Sequence, residues 1–308
     1  MAYKGPRVNR VIDLLERRIR PYGVFVNDTS DHNARWLAKS PADFALICME
    51  HHPFNPLSIR QFIQSTIDRA SIARTGSLQF KPTPMVRIPI TGREIRTNNW
   101  IVKQVLDAGV CGIVFPMTET REHAEDAVAA CRFSLRMDSP REIWTKPDDD
   151  FHEQNTTENY GRSAGPKFAR FLWGVPDYNA VADVWPLNNK GEVLVVAQIE
   201  SMAGVQNLDN ILQVRGLSAI MIGPGDLRMK MGKTDEHDPD VKAVFADIIT
   251  KCRRSGVYTM ILVSPENYEW YMSLGIDICI AGFDAGIHAD AQLIFDKKVT
   301  MLDEFKGS

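Results

Sequence analysis

Eight short apolar runs rich in β-branched residues recur along the chain: YGVFVN (22–27), FALICM (44–49), MVRIPI (85–90), GIVFPM (112–117), VLVVAQI (193–199), AIMIGP (219–224), YTMILV (258–263) and DICIAGF (277–283). Few polar residues interrupt them, so each is predicted to be a strand covered on both faces, as strands of parallel sheets are. The stretches between them repeat apolar residues at helical spacing over 59–74, 95–109, 202–214 and 239–256, and Gly256 stands where a helix C-terminus favours glycine. Ser264-Pro265 supplies a cap and a first-turn proline for a further helix. Strand followed by helix, eight times over, predicts a single-domain (β/α)8 TIM barrel over 1–308, with a doubly wound open sheet as the competing arrangement. The rhythm fails over 133–190, where prolines, acids and isolated aromatics sustain no period. That segment is predicted to be an insertion, reaching the barrel mouth or lying at the periphery between subunits.

With 44% apolar and 24% charged residues, a chain of 308 can bury a large core without covalent staples. A net charge of −3 offers no basic field, which argues against nucleic acid or an anionic membrane as partner and leaves small molecules. The 5 cysteines are odd in number and form no CxxC pair, which suits free thiols in a reducing compartment. No run approaches the roughly 18 apolar residues of a membrane span, and the chain is expected in the cytoplasm.

Barrels of this kind carry their active sites at the C-terminal ends of the strands. Reactive residues gather there: Glu50, His51 and His52 after the second predicted strand, Arg87 within the third, Gln198 and Glu200 at the fifth, and Gly223-Pro224-Gly225-Asp226 after the sixth. Glu200 and Asp226 stand 26 residues apart, enough for a loop, a crossover helix and a parallel neighbour. Two hard oxygen ligands suit Mg²⁺ or Mn²⁺, although either acid alone could instead cap the helix that follows it. Arg87 lies in an apolar strand and needs an anion, either a substrate oxyanion or a structural partner such as Glu50. His51 and His52 are adjacent, so one is expected to face the site, where a histidine serves as acid or base near neutral pH. Gly223 and Gly225 allow close backbone approach, and exposed amides there can receive an anion. No lysine ends a predicted strand, so Schiff-base chemistry lacks an obvious nucleophile and metal chemistry is favoured. Phe171, Trp173, Tyr178 and Trp185 would suit a bulky acceptor if their segment covers the mouth.

The segments MEHHPFN (49–55), MVRIPITG (85–92), VKQVLDAGVCGIVFPMTET (102–120), VAQIESMAGVQNLDNILQVRGLSAIMIGPGDL (196–227) and IAGFDAGI (280–287) closely resemble the HpcH/HpaI aldolase/citrate lyase family, the metal-dependent class II pyruvate aldolases. The likeness covers most of the chain outside the N-terminal 20 residues and 133–190. It implies a (β/α)8 barrel in which Glu200 and Asp226 ligate a divalent cation (Mg²⁺, Mn²⁺ or Co²⁺) and Gln198 lies beside a bound 2-oxo acid. Arg87 would then contact the ketone oxygen, the amides of Gly225 and Asp226 would hold the carboxylate, and His51, with Glu50 as a further candidate, would move protons. The implied reaction is carbon–carbon cleavage or formation of a 4-hydroxy-2-oxo acid, giving pyruvate or a related 2-oxo acid plus an aldehyde through a metal-stabilised enolate. The resemblance also implies a homo-oligomer, a hexamer built as a trimer of dimers, with the C-terminal helix 288–305 swapped between subunits. Two positions depart from the pattern. Cys48-Met49-Glu50-His51 replaces the usual Asp-Gly-Glu-His, which removes the aspartate that orients the histidine, and Arg228 replaces a small residue. The alternatives are a barrel that binds metal and oxo acid without turnover, an oxaloacetate decarboxylase, and an acyl-CoA-cleaving lyase.

Overall fold

A computed structural model describes residues 7–133, 161–163 and 165–284. The strands are β1 Tyr22–Val26, β2 Phe44–Cys48, β3 Thr83–Arg87, β4 Gly112–Phe115, β5 Val184–Trp185, β6 Val193–Ile199, β7 Ala219–Ile222, β8 Tyr258–Leu262 and β9 Ile278–Phe283. All pairings are parallel, in the order β4-β3-β2-β1-β9-β8-β7-β6, and β4 pairs with β6 from Gly112↔Leu194 to Phe115↔Ala197. That last ladder closes an eight-stranded barrel and excludes the open sheet. The two-residue β5 pairs with the start of β6, outside the eight-strand count.

Side-chain alternation divides the core in two. Phe44, Leu46 and Cys48 of β2, Met85 of β3, Val114 of β4, Leu194 and Val196 of β6, and Met221 of β7 pack around the barrel axis. Their alternates, among them Ala45, Ile47, Val86, Val195 and Ala197, face the surrounding helices. The helix Arg10–Glu16 sends Val11, Ile12 and Leu15 into the axial cluster and so seals the N-terminal end. Asn9 fixes that plug: its Oδ1 accepts from the amides of Val11 and Ile12, and its Nδ2 donates to the carbonyls of Cys111 and Glu192 at 2.9 and 3.1 Å.

Several sequence expectations are refined. β3 ends at Arg87 rather than at residue 90, because Pro89 has no amide for the ladder. The stretch 59–74 forms two helices, Pro56–Ser65 and Arg69–Thr75, the second started by Asp68, whose carboxylate accepts from Ala70 and Ser71. The stretch 202–214 likewise splits into Met202–Gln206 and Leu208–Ile211. The helix after β8 begins only at Tyr268, following a turn in which the Tyr268 amide donates to the Ser264 carbonyl.

The described part of 133–190 is ordered by its own aromatics. Helices Lys167–Trp173 and Tyr178–Val181 pack on the barrel flank, with Trp173 edge-on to Tyr178 at 5.0 Å and its indole N–H donating to the Gly109 carbonyl. Trp185 stacks on Tyr258 within the axial cluster. Three of the four aromatics expected to suit an acceptor are therefore core residues, held by packing and, for Trp173, by its N–H. Phe171 is exposed to solvent. Residues 134–160 and the helix expected over 288–305, with its subunit swap, lie outside the described residues. Among the described residues no helix is long and apolar enough to cross a membrane.

Asn9→Ala removes the helix cap and the two carbonyl bonds together, and is expected to lower stability by about 1–3 kcal/mol in urea unfolding. An unchanged midpoint would show that the plug is held without the Asn9 side chain, by its apolar packing and the bonds of Arg10 to Asp43 and Thr83.

Candidate active site

The axial positions change character toward the C-terminal end. Counting in twos, Phe44-Leu46-Cys48 leads to Glu50, Met85 to Arg87, and Leu194-Val196 to Gln198 and then Glu200. The same alternation that fills the barrel with apolar side chains thus delivers four polar groups to one rim. Register supports this, since Cys48 stands opposite Arg87, and Gln198 opposite Met221.

Glu200 is the centre of the group, with only 2% of its surface exposed. Its Oε1 accepts from the Met117 amide at 2.7 Å and its Oε2 from Gln198 Nε2 at 2.5 Å. Burial pushes its carboxyl up to about 7, against the lowering effect of the Met117 amide, and the negative charges of Glu50 and Asp226 push further in the same direction. Gly223 presses on this group: a Cβ there would stand 2.7 Å from Glu200 Cβ and 2.8 Å from Oε2. Glycine is needed here for space, while Gly225 has open space around it. Gly223 caps the helix Pro224–Lys230, so Gly225 and Asp226 occupy its first turn, where amides lack intrahelical acceptors, and both residues are exposed.

Arg87 is the last residue of β3, paired across to Cys48 of β2. Its Nη2 donates to Cys48 Sγ at 3.0 Å, and its guanidinium lies 4.8 Å from the centre of the Phe25 ring. Its Nε is 3.0 Å from Glu50 Oε2, yet the angle is outside hydrogen-bonding range, and both atoms are buried without a hydrogen-bond partner. The pair is a charge contact with unused donor and acceptor capacity. Gln198 Oε1 is likewise buried and unpartnered. Three polar atoms with unmet hydrogen bonds on one rim are what a site prepared for a polar ligand offers.

The structure brings Glu50, Arg87, Gln198 and Glu200 together and keeps the histidines outside. His51 is 65% exposed, with Nε2 3.7 Å from Glu50 Oε2, and His52 is also exposed. Cys48 meets Arg87 and not His51. Arg228 belongs to a separate cluster, where its charge acts on the buried Tyr271, whose hydroxyl donates to Glu236. Sequence reasoning missed the Met117 amide. Met117 adopts φ 51°, a left-handed conformation unusual for a side-chain-bearing residue, and nothing in Phe115-Pro116-Met117-Thr118 signals it. It also missed Glu119, which accepts from Ser201 Oγ and from Arg93 and so fastens the residue next to Glu200.

The donor set fits a cation held from one side. Glu200 faces two further carboxylates whose repulsion a divalent ion would relieve, and each of its oxygens keeps a second lone pair. Among the described residues no three His, Cys, Asp or Glu side chains converge closely enough to enclose a metal.

Comparison with known proteins agrees with this architecture. A hydroxypyruvate/pyruvate aldolase from Agrobacterium fabrum is 30% identical over 244 residues, covering 79% of this chain and 75% of that protein. A 2-keto-3-deoxy-L-rhamnonate aldolase from Klebsiella pneumoniae is 28% identical over 283 residues, covering 91% and 87%. The crystal structure of a family protein from Burkholderia cenocepacia superposes with a TM-score of 0.69 at 23% identity, covering 97% of this chain and all of the other, which is a likeness of fold. The family model for HpcH/HpaI aldolase/citrate lyase matches residues 21–291, and the chain belongs to that family.

Proposed function

We propose that this protein is a metal-dependent carbon–carbon lyase that cleaves or forms a 4-hydroxy-2-oxo acid, with pyruvate or a close relative and an aldehyde as the other partners. The observation that carries the reading is Glu200, a buried carboxyl held by Met117 and Gln198, facing Glu50 and Asp226, beside a guanidinium with unused donors. Glu200 and Asp226 are the residues to hold a divalent cation. Once bound, such an ion would supply Lewis acidity that stabilises negative charge on the oxo acid.

Arg87 has the complementary task. Its guanidinium, backed by Phe25, donates to the ketone oxygen as negative charge grows there during enolate formation. Gln198 lies beside the oxo acid, its free Oε1 able to accept from a substrate hydroxyl or a water, and the amides of Gly225 and Asp226 receive the carboxylate. Glu50 stands between Arg87 and His51, so a proton taken by Glu50 passes to the exposed His51 and on to water. The resemblance to hydroxypyruvate/pyruvate and 2-keto-3-deoxy-L-rhamnonate aldolases supports a 2-oxo acid as one partner.

The direct test is exchange of pyruvate methyl protons in D₂O with Mn²⁺, which reads enolate formation without any aldehyde. Wild type is expected to exchange, and chelation or Glu200→Gln to stop it. Arg87→Ala should slow it about 10²–10³-fold, the loss typical of one oxyanion donor. Saturable pyruvate binding without exchange would replace the lyase reading with a binding protein that does not turn over.

Glu200 also sets a pH signature in the metal-free protein. Its folded value of about 7 lies above the ordinary carboxyl range, so stability present at low pH is lost as pH rises from about 4.5 through 7. Glu200→Gln should therefore be more stable than wild type at pH 8, by about 1–3 kcal/mol, and the gap should close near pH 5. Mn²⁺ should raise the melting temperature of wild type and leave the variant unchanged. A gap independent of pH would mean that the acid is not strained.

Cys48→Asp places a carboxylate against Arg87 in reach of the loop bearing His51. It is expected to raise aldol turnover. An unchanged or lower rate would show that the thiol–guanidinium contact is itself the working arrangement.

A further inference from the structure

A second concavity lies at the opposite end of the barrel. It has a volume of about 540 Å³ and is bounded by the C-terminus of helix Asp31–Lys39, by helix Arg69–Thr75, by the segment leading into β3 and by helix Lys167–Trp173. This size lies within the range of small-molecule sites. Four cations from four separate segments line it: Arg10, Lys39, Arg74 and Lys81. In a chain of net charge −3, that is a local reversal of sign.

Three of the four charges have no carboxylate partner among the described residues. Arg10 opens a helix, the unfavourable end for a cation, and is offset by Asp43 at 2.7 Å. Lys39 and Arg74 lie in last turns, where a cation is favoured without any ligand, and this explains their positions but not their convergence. No such explanation covers Lys81, which precedes β3. Among the described residues Lys39, Arg74 and Lys81 have no carboxylate partner, and the one acid in the lining, Asp68, is engaged as the cap of Arg69–Thr75. The lining also carries the half-buried apolar side chains Ile67, Ile72, Leu78 and Leu172, with the core aromatics Phe80 and Trp173 behind them.

We propose that this concavity is a second ligand site, for a small molecule that joins a phosphate group to a flat apolar body. Phosphate answers the convergent cations, because several donors on one anion are worth most where apolar walls exclude water. The apolar body answers the half-buried Ile67, Ile72, Leu78 and Leu172. A polymeric anion is disfavoured by the net negative charge. The site is remote from the rim, since the segment that lines it enters the N-terminal end of β3 and Arg87 closes the other end.

The site can be read without turnover, so its test is independent of the lyase proposal. Phenyl phosphate, inorganic phosphate and phenol are titrated calorimetrically into the full-length protein. Phenyl phosphate should bind saturably, inorganic phosphate more weakly, and phenol not measurably. The double substitution Arg74→Ala with Lys81→Ala should weaken phenyl phosphate at least tenfold, whereas Arg74→Lys with Lys81→Arg should restore most of the affinity and so control for folding. Glu200→Gln and Arg87→Ala should leave it unchanged. No saturable binding, binding that survives the double alanine substitution, or binding that is lost with Arg87→Ala would overturn the proposal.

Discussion

The ladder between Gly112–Phe115 and Val193–Ile199 is the contact on which the rest of the molecule depends. It joins strands separated by the long segment after β4, and it turns a sheet with two edges into a closed wall. Only because β4 and β6 are neighbours does the chain leaving β4 pass beside the chain leaving β6, so that the Met117 amide reaches the Glu200 carboxylate. A second bond ties the same two loops, from the Thr118 amide to the Gln198 carbonyl.

Closure also sets the electrostatics of the rim. Inside a barrel, alternate side chains have nowhere to go but the axis, and the N-terminal part of the axis is filled with Leu, Met, Val and Phe and stoppered by Arg10–Glu16. Charged residues continuing the same alternation are therefore confined to the open end and forced near one another. The result is a carboxyl at about 7 on Glu200 and a guanidinium with an unused donor on Arg87, conditions that the folded chain tolerates because the surrounding wall is rigid.

The two ends of the barrel differ in sign as well as in shape. Acids dominate the rim that bears Glu50, Glu200 and Asp226, while the flank near the N-terminal end gathers Arg10, Lys39, Arg74 and Lys81. The strand β3 runs from one to the other, with Lys81 just before it and Arg87 at its end. A chain of modest net charge can thus present an acidic rim and a basic concavity, because they lie at opposite ends of the barrel and salt in the solvent screens exposed charges that far apart.

The eight barrel strands were legible from apolar runs alone, mostly to within two residues, because strands covered on both faces admit few polar residues and end where glycine, proline or charge intervenes. The gathering of Glu50, Arg87, Gln198 and Glu200 was also legible, since strand ends of a parallel barrel share one rim. The left-handed turn at Met117 was not, and neither was the pairing of Cys48 with Arg87 in preference to His51, nor the burial of Trp173, Tyr178 and Trp185 away from the mouth. Those depend on contacts between residues far apart in the chain, and local composition carries no record of them. Sequence by itself determined which residues alternate toward the axis. Tertiary structure alone decided which of them touch, because distance across a closed barrel is set by strand order and register.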